Sequence, residues 1–304
     1  NLAFFYQLSD LKKEILNPNL RNSTEKIIND NYCTKKNMAY GNFLLARYES
    51  KEKNYEKEID YLIKAHTYYF EVKKEIFSRQ IKHFFDVLPN ANELINFNKS
   101  NKTIKKNNNE IKPIFIVGVP RCGSTLIEKI IASGSKYITI GEETSIVDVF
   151  MQQKIQKKQL SNFNKENFQM ELFDIYKHKG LIQEKSDYTF TDKSLENFFY
   201  IGFIKGIFPN AKVVNCKRNV LSSIMSMFQN NLIDTGWTHD LEYIFKYIDI
   251  YYRMIENFKK IFPDFIYELQ YEKFVDNPGS ESKKLLTYCN LPWDKKCLEF
   301  YKRK

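Results

Sequence analysis

The stretch Pro113 to Thr144, PIFIVGVPRCGSTLIEKIIASGSKYITIGEET, decides how this chain folds. It begins as an apolar run, Ile114-Phe115-Ile116-Val117, turns through Gly118-Val119-Pro120-Arg121-Cys122-Gly123-Ser124-Thr125, and resumes at helical spacing with Leu126, Ile127, Ile130 and Ile131. A buried strand, a glycine-punctuated loop and a helix follow from that pattern. In such a unit the loop amides and the helix N-terminus point into one small space, where unsatisfied N–H groups and the macrodipole favour an anion. The segment reads as a phosphate cradle.

The triphosphate version of this cradle is G-x-x-x-x-G-K-[ST], whose Lys reaches the terminal phosphates and whose hydroxyl holds Mg²⁺. Here Gly118 and Gly123 keep the spacing, but Ser124 stands at the Lys position and the positive charge sits inside the loop as Arg121. No convincing hydrophobic strand downstream ends in a metal-binding Asp. A P-loop kinase or nucleotidase is therefore disfavoured.

The run Pro120-Arg121-Cys122-Gly123-Ser124-Thr125 resembles the 5′-phosphosulfate loop, P-[KR]-S-G-[TS]-T, of sulfotransferases that use 3′-phosphoadenosine 5′-phosphosulfate (PAPS). Cys122 replaces the usual Ser and supplies a weaker side-chain donor, while the backbone donors are unaffected. Further on, Ala211-Lys212-Val213-Val214-Asn215-Cys216 reads as a second buried strand, followed by Lys217-Arg218-Asn219 and a helix from about Leu221 to Phe228. Arg218 and Ser226 match the Arg and Ser with which that family holds the 3′-phosphate. The resemblance covers roughly Lys112 to Tyr301 and is nearest to tetratricopeptide-repeat sulfotransferases. The stretch Gly141-Glu142-Glu143-Thr144 is similar to one in tyrosylprotein sulfotransferases, where the second Glu is the base.

The implied chemistry is transfer of a sulfuryl group from PAPS to an acceptor hydroxyl. Cys122, Gly123, Ser124 and Thr125 would take the 5′-phosphate, with Arg121 on the charge of the bridging oxygen. Lys193, in Thr191-Asp192-Lys193, matches a family Lys that contacts the phosphosulfate. A carboxylate near the cradle is the expected base. Both Glu142 and Glu143 qualify by position, and the resemblance points to Glu143. Adjacent carboxylates on extended chain face opposite ways, so one of them should face the acceptor. No metal is expected. The acceptor, whether peptide tyrosine, glycan or small phenol, has no signature here.

Upstream, Met38 to Tyr48 and Tyr55 to Ala65 read as antiparallel helices about a turn at Lys51 to Asn54, resembling the middle of a tetratricopeptide repeat and implying a protein partner. A third helix is expected over Val72 to Val87. Asn96 to Lys112, NFNKSNKTIKKNNNEIK, has almost nothing apolar and reads as a solvated linker. The expected organisation is a helical region over 1–95, a linker over 96–112 and an α/β transferase domain over 113–304, built on a P-loop-type parallel sheet flanked by helices. Tyr137 to Ile140, Asp187 to Phe190 and Phe265 to Leu269 are the other expected strands, and Asn197 to Phe208 and Leu241 to Phe262 the other notable helices. The family's later cosubstrate-closing segment does not appear before Lys304, so the domain is open to C-terminal truncation. The alternative is a helical-repeat interaction module attached to an inactive or incomplete PAP-binding domain.

Composition sets the outer bounds. The 304 residues are 43% hydrophobic and 15% aromatic, enough to bury a core. The net charge of +10 is spread through a general Lys/Asn bias without a basic helix, which argues against nucleic acid; it suits an anionic cosubstrate. Five cysteines lack metal-ligand spacing and read as reduced thiols. No apolar run is long enough to span a bilayer and Asn1 opens no signal-peptide pattern, so a cytoplasmic protein is expected, although a chain without an initiator Met reads as a fragment.

Overall fold

A strand buried on both faces needs a continuous apolar run, and Ile114 to Val117 supplies one. The structure, a computed structural model, describes residues 1–88, 111–157 and 164–302. The run forms β1 (Lys112–Gly118), buried from Pro113 onward. It pairs in parallel with β2 (Thr189–Asp192) on one side and β3 (Lys212–Lys217) on the other, and β4 (Ile266–Gln270) extends β3. The order β2-β1-β3-β4 gives one four-stranded sheet among the described residues. In register, Phe115 faces Asp192, Gly118 faces Cys216, and Cys216 faces Leu269. All-parallel pairing requires helical crossovers that cover the sheet, and the central β1 accordingly reads as an apolar run. Because β2 and β3 lie on opposite sides of β1, the crevice beyond the carboxyl ends of β1 and β3 is a topological switch point, where such sheets bind ligands.

The chain divides into two compact units, Asn1–Val87 with Ile224–Tyr247, and Leu88–Ser223 with Ile248–Lys304. The first is helical. Its elements are α1 (Leu2–Leu11), α2 (Pro18–Ile28), α3 (Lys35–Lys51), α4 (Tyr55–Val72) and α5 (Lys74–Lys82), continued by a π-turn over His83–Val87. Helices α3 and α4 form the expected hairpin, each started by a side-chain cap, Thr34 on the Asn37 N–H and Asn54 on the Lys57 N–H. The third expected helix is present as α5 and the π-turn. Residues 1–35, weakly helical by pattern, hold α1 and α2. The core of this unit is aromatic, with Tyr6, Tyr40, Phe43, Tyr69 and Phe77 grouped around His66 and His239.

The second unit holds the sheet. Its described helices are α6 (Ser124–Ala132), α7 (Ile146–Gln156), α8 (Lys165–His178), α9 (Ile201–Ile207), the start of α10 (Val220–Phe228), the end of α11 (Leu241–Ile261), α12 (Tyr271–Asp276) and α13 (Pro278–Tyr288). Two expectations are corrected. Tyr137 to Ile140 forms no strand of its own; Thr139 and Glu142 make isolated parallel bridges to Phe190 and Lys193, because the chain turns at Glu143 before a continuous ladder on the outer edge of β2 is built. The helix expected over Asn197 to Phe208 is a 3-10 segment, Leu195–Tyr200, followed by α9. The expected linker falls almost wholly on 89–110, outside the described residues.

Candidate active site

The carboxyl ends of all four strands deliver the residues of the candidate site: the Gly118–Thr125 loop after β1, Lys193 after β2, Arg218 after β3 and Tyr271 after β4. The loop bends sharply. Arg121 adopts a left-handed backbone at φ 69° and Gly123 one at φ 92°, which costs little for Gly123 and of order 1–3 kcal/mol for Arg121. A Cβ on Gly123 would also lie 2.4 Å from the Tyr271 ring, so glycine is needed twice over. Gly123 caps α6, whose N-terminal amides and dipole make the loop an anion cradle.

Lys193 reaches into this cradle from β2. Its Nζ donates to Thr125 Oγ1 at 3.2 Å and to Glu142 Oε1 at 2.6 Å, and Thr125 Oγ1 donates to the same carboxylate oxygen at 3.2 Å. The ammonium holds the Glu142 carboxyl below its ordinary range, its hydrogen bond outweighing the opposing effect of burial. Glu143 lies one residue on, exposed, with a left-handed backbone at φ 50°. The two glutamates are thus separated by a turn, which corrects the extended-chain expectation. Glu143 and Lys193 both act electrostatically on Glu196, whose carboxyl is raised first by burial and then by Asp148 and Glu143.

A buried polar layer beneath these residues fixes the Gly141–Thr144 segment against β2. Thr191 Oγ1 donates to Glu128 Oε1 at 2.6 Å and accepts from the Gly141 N–H at 3.0 Å. The Lys193 N–H donates to the Gly141 carbonyl and the Glu143 N–H to the Lys193 carbonyl. Asp192 is fully buried and accepts from Tyr176 Oη at 2.6 Å, Thr144 Oγ1 at 2.9 Å and Asn197 Nδ2 at 3.1 Å. β2 ends in this Asp, but its carboxylate is committed to these three donors rather than offered to a metal. Glu128, Asp192 and Tyr176 were not singled out from sequence; their partners lie too far along the chain to leave a spacing signal.

Arg218 joins the loop from the β3 side. Its Nη1 donates to the Arg121 carbonyl at 2.9 Å, and its guanidinium lies 5.0 Å from the Tyr271 ring centroid. Tyr271 thus touches both the Gly123 backbone and Arg218, a role no motif announces. Asn219 follows, with its N–H on Glu272 Oε1 at 2.8 Å and its Oδ1 accepting from the Ser222 N–H, which starts α10. Ser226 lies on α10 in the segment that belongs to the helical unit, and its carbonyl accepts from Asn230 Nδ2 at 2.7 Å. Ser124 is buried, and Cys122 is fully buried with its N–H on the Val119 carbonyl at 3.2 Å. The structure thus brings Arg121, Cys122, Gly123, Ser124, Thr125, Glu142, Lys193 and Arg218 together at one end of the sheet.

The model of the sulfotransferase family matches residues 113–295, more than half of the chain. The chain belongs to the sulfotransferase family. A relative from Aquifex aeolicus (strain VF5), described as an uncharacterized protein, is 29% identical over 297 residues. The match covers 92% of this chain and 38% of that relative, so the chain spans well under half of the relative's length. Among solved structures, the sulfotransferase domain from the Synechococcus PCC 7002 olefin synthase is 19% identical, with TM-score 0.47, over 67% of this chain and 82% of that one. The sulfotransferase domain from the curacin biosynthetic pathway is 21% identical, with TM-score 0.49, over 64% and 79%.

A cavity of about 690 Å³ opens at the opposite end of the sheet, beside Lys112, Thr189, Lys212 and Phe265, where the strands begin. It shares no residue with the cradle. Among the described residues no group of three or more His, Cys, Asp or Glu is placed to hold a metal ion, and no helix is long and apolar enough to cross a membrane.

Proposed function

We propose that this chain transfers a sulfuryl group from PAPS to an acceptor hydroxyl, with Glu143 as the general base. The observation that carries the reading is the convergence of Lys193, Thr125 and the Arg218–Arg121 contact on the N-terminus of α6. Such a site fits a phosphosulfate: fixed N–H donors for a phosphate, an ammonium from the side, and no Lys in the loop. When bound, the donor supplies the activated sulfuryl group and a phosphate leaving group.

The residues of the chain do the rest. The backbone of Cys122, Gly123, Ser124 and Thr125, with the last two hydroxyls, holds the 5′-phosphate; Cys122 does so by exchanging its Val119 partner. Arg121 and Lys193 balance charge that builds on the bridging oxygen. Arg218 and Ser226 hold the 3′-phosphate, which separates this donor from one lacking it. Glu143 takes the proton of the acceptor, a peptide tyrosine, a glycan hydroxyl or a small phenol.

We assign the helical region to 1–95, the linker to 96–112 and the transferase domain to 113–304, with the helical region offering a surface for a protein partner. All five cysteines are free thiols, which fits a reducing compartment, and we place the activity in the cytoplasm. Calorimetry with PAP and transfer from sulfur-labelled PAPS to a panel of tyrosine peptides, sugars and phenols test the reading. Absence of PAP binding overturns it; PAP binding without turnover of any acceptor favours an interaction module on an inactive domain.

A further inference from the structure

Two thiols meet beneath the cradle, and neither has a part in the chemistry proposed above. Cys122 belongs to the loop and Cys216 to β3, where it is the register partner of Gly118. Both are fully buried. A Cβ at Gly118 would lie 2.7 Å from Cys122 Sγ and 3.5 Å from Cys216 Cβ, so the missing side chain at Gly118 is what makes room for the two to approach. The two thiols act on one another, and Ser124 at the start of α6 acts on Cys122 as well.

The two sulfurs are not equivalent. The hydrogen bond from Cys216, followed by those from Ser124, holds the Cys122 thiol below its ordinary value against the opposing effect of burial. Cys216 is pushed well above it, first by the Cys122 contact and then by burial. Burial also raises Cys33, Cys289 and Cys297. Thiolate character, which sets nucleophilicity, is therefore concentrated on Cys122, with a second thiol already in contact to resolve any oxidised product. Cys122 is flanked by exposed Arg121 and half-exposed Gly123, so a local opening of the loop brings its sulfur to solvent.

We propose that Cys122 and Cys216 form an oxidative modification site, at which a small peroxide converts the pair to a disulfide lying directly under the phosphate cradle. The Cys122 sulfur attacks one peroxide oxygen; the O–O bond breaks, water leaves, and a sulfenic acid forms. The Cys216 sulfur then attacks the Cys122 sulfur; the S–S bond forms, the S–O bond breaks, and a second water leaves. The two thiols lose two electrons and two protons in all, and the peroxide is reduced to two waters. Once bonded to Cys216, the Cys122 sulfur is no longer a thiol beside Ser124, and the loop is tied to β3. The consequence for donor binding rests on the reading of the cradle as a PAPS site; the disulfide itself does not.

The test uses the full reduced chain treated with hydrogen peroxide under native conditions, alkylated, digested without reductant and read by mass spectrometry. The expected product is a Cys122–Cys216 cross-linked peptide, reversed by dithiothreitol. In the C216S variant a dimedone-trappable sulfenic acid should accumulate at Cys122, and C216A gives the same readout should the serine disturb folding. Five alkylatable thiols after treatment, or a bond between any other pair, overturns the proposal. PAP calorimetry on reduced and oxidised protein then reads the consequence, an expected weakening of about tenfold, comparable to losing one hydrogen bond to a charged group. A reduced chain that binds no PAP sinks the donor reading, while the mass spectrum still decides the disulfide.

Discussion

The Lys193 ammonium lies 2.6 Å from Glu142 Oε1 and 3.2 Å from Thr125 Oγ1, tying the end of β2 to both the cradle and the Gly141–Thr144 segment. A carboxylate held down by this contact is a poor proton acceptor at neutral pH, so the proposed reaction takes Glu142 as the anchor of Lys193 and Glu143 as the base. E143Q should lower kcat by roughly 100-fold or more, with PAP affinity nearly unchanged. E142Q should instead act mainly on the KM for PAPS, because it frees Lys193 to wander. Steady-state kinetics on both variants decide the matter, and a kcat loss confined to E142Q exchanges the two roles.

Arg218 makes two contacts that lysine cannot reproduce together. Its planar fork donates to the Arg121 carbonyl at 2.9 Å while the same plane lies 5.0 Å from the Tyr271 ring centroid. R218K keeps the charge but loses the fork and the stacking, so calorimetry should show PAP binding weakened by about tenfold. R218A should be weaker still, and Y271A should have a milder effect through misplacement of Arg218. Unchanged affinity in R218K removes Arg218 from the 3′-phosphate site.

Much of this site was legible from local pattern. The strand–loop–helix around Gly118–Thr125 shows in an apolar run, two glycines and a helical repeat, and Arg218 shows at the exit of the Val213–Cys216 run. What stayed hidden depends on contacts between distant residues. Glu128 meets Thr191 across 63 positions and His66 meets His239 across 173, and neither pairing has a period or a spacing. The place of Ile224–Tyr247 in the helical unit is invisible for the same reason. Tyr137 to Ile140 has the local β-propensity of a strand, but it meets the outer edge of β2 only through isolated bridges, and the extent of such pairing is not written in propensity.

Gly123 is held by two independent constraints, and they can be separated. A side chain there must adopt φ 92° and must also displace the Tyr271 ring, 2.4 Å from the would-be Cβ. G123A should destabilise the chain by at least about 1–3 kcal/mol from the backbone alone. The double variant G123A/Y271A should recover the clash but not that backbone cost, giving a non-additive cycle by urea unfolding. Strict additivity would show that the ring moves aside freely.

His66 and His239 form a pair whose proton count limits the acid stability of the helical unit. His66 Nε2 lies 2.7 Å from the Phe228 carbonyl, the two Nδ1 atoms lie 2.9 Å apart, and His239 Nε2 lies 3.3 Å from the Leu232 carbonyl. Two neutral rings have two N–H groups: one donates from His66 to Phe228, and the other from His239 Nδ1 to His66 Nδ1, which matches the longer third distance. Burial lowers His66 to about 4 and His239 to about 3, with the charge of His66 a second cause for His239. Folded-state values below the unfolded value mean that the unfolded chain binds protons first. Stability is therefore complete above about pH 6.5 and falls as pH drops towards 4 and then 3, by about 1.4 kcal/mol per pH unit for each imidazole that stays neutral. H239N keeps an amide donor for His66 Nδ1 and removes one titrating group, so its stability should decline with the slope of one imidazole rather than two. Urea unfolding followed across this pH range measures both slopes, and equal slopes for wild type and H239N would remove His239 from the acid response.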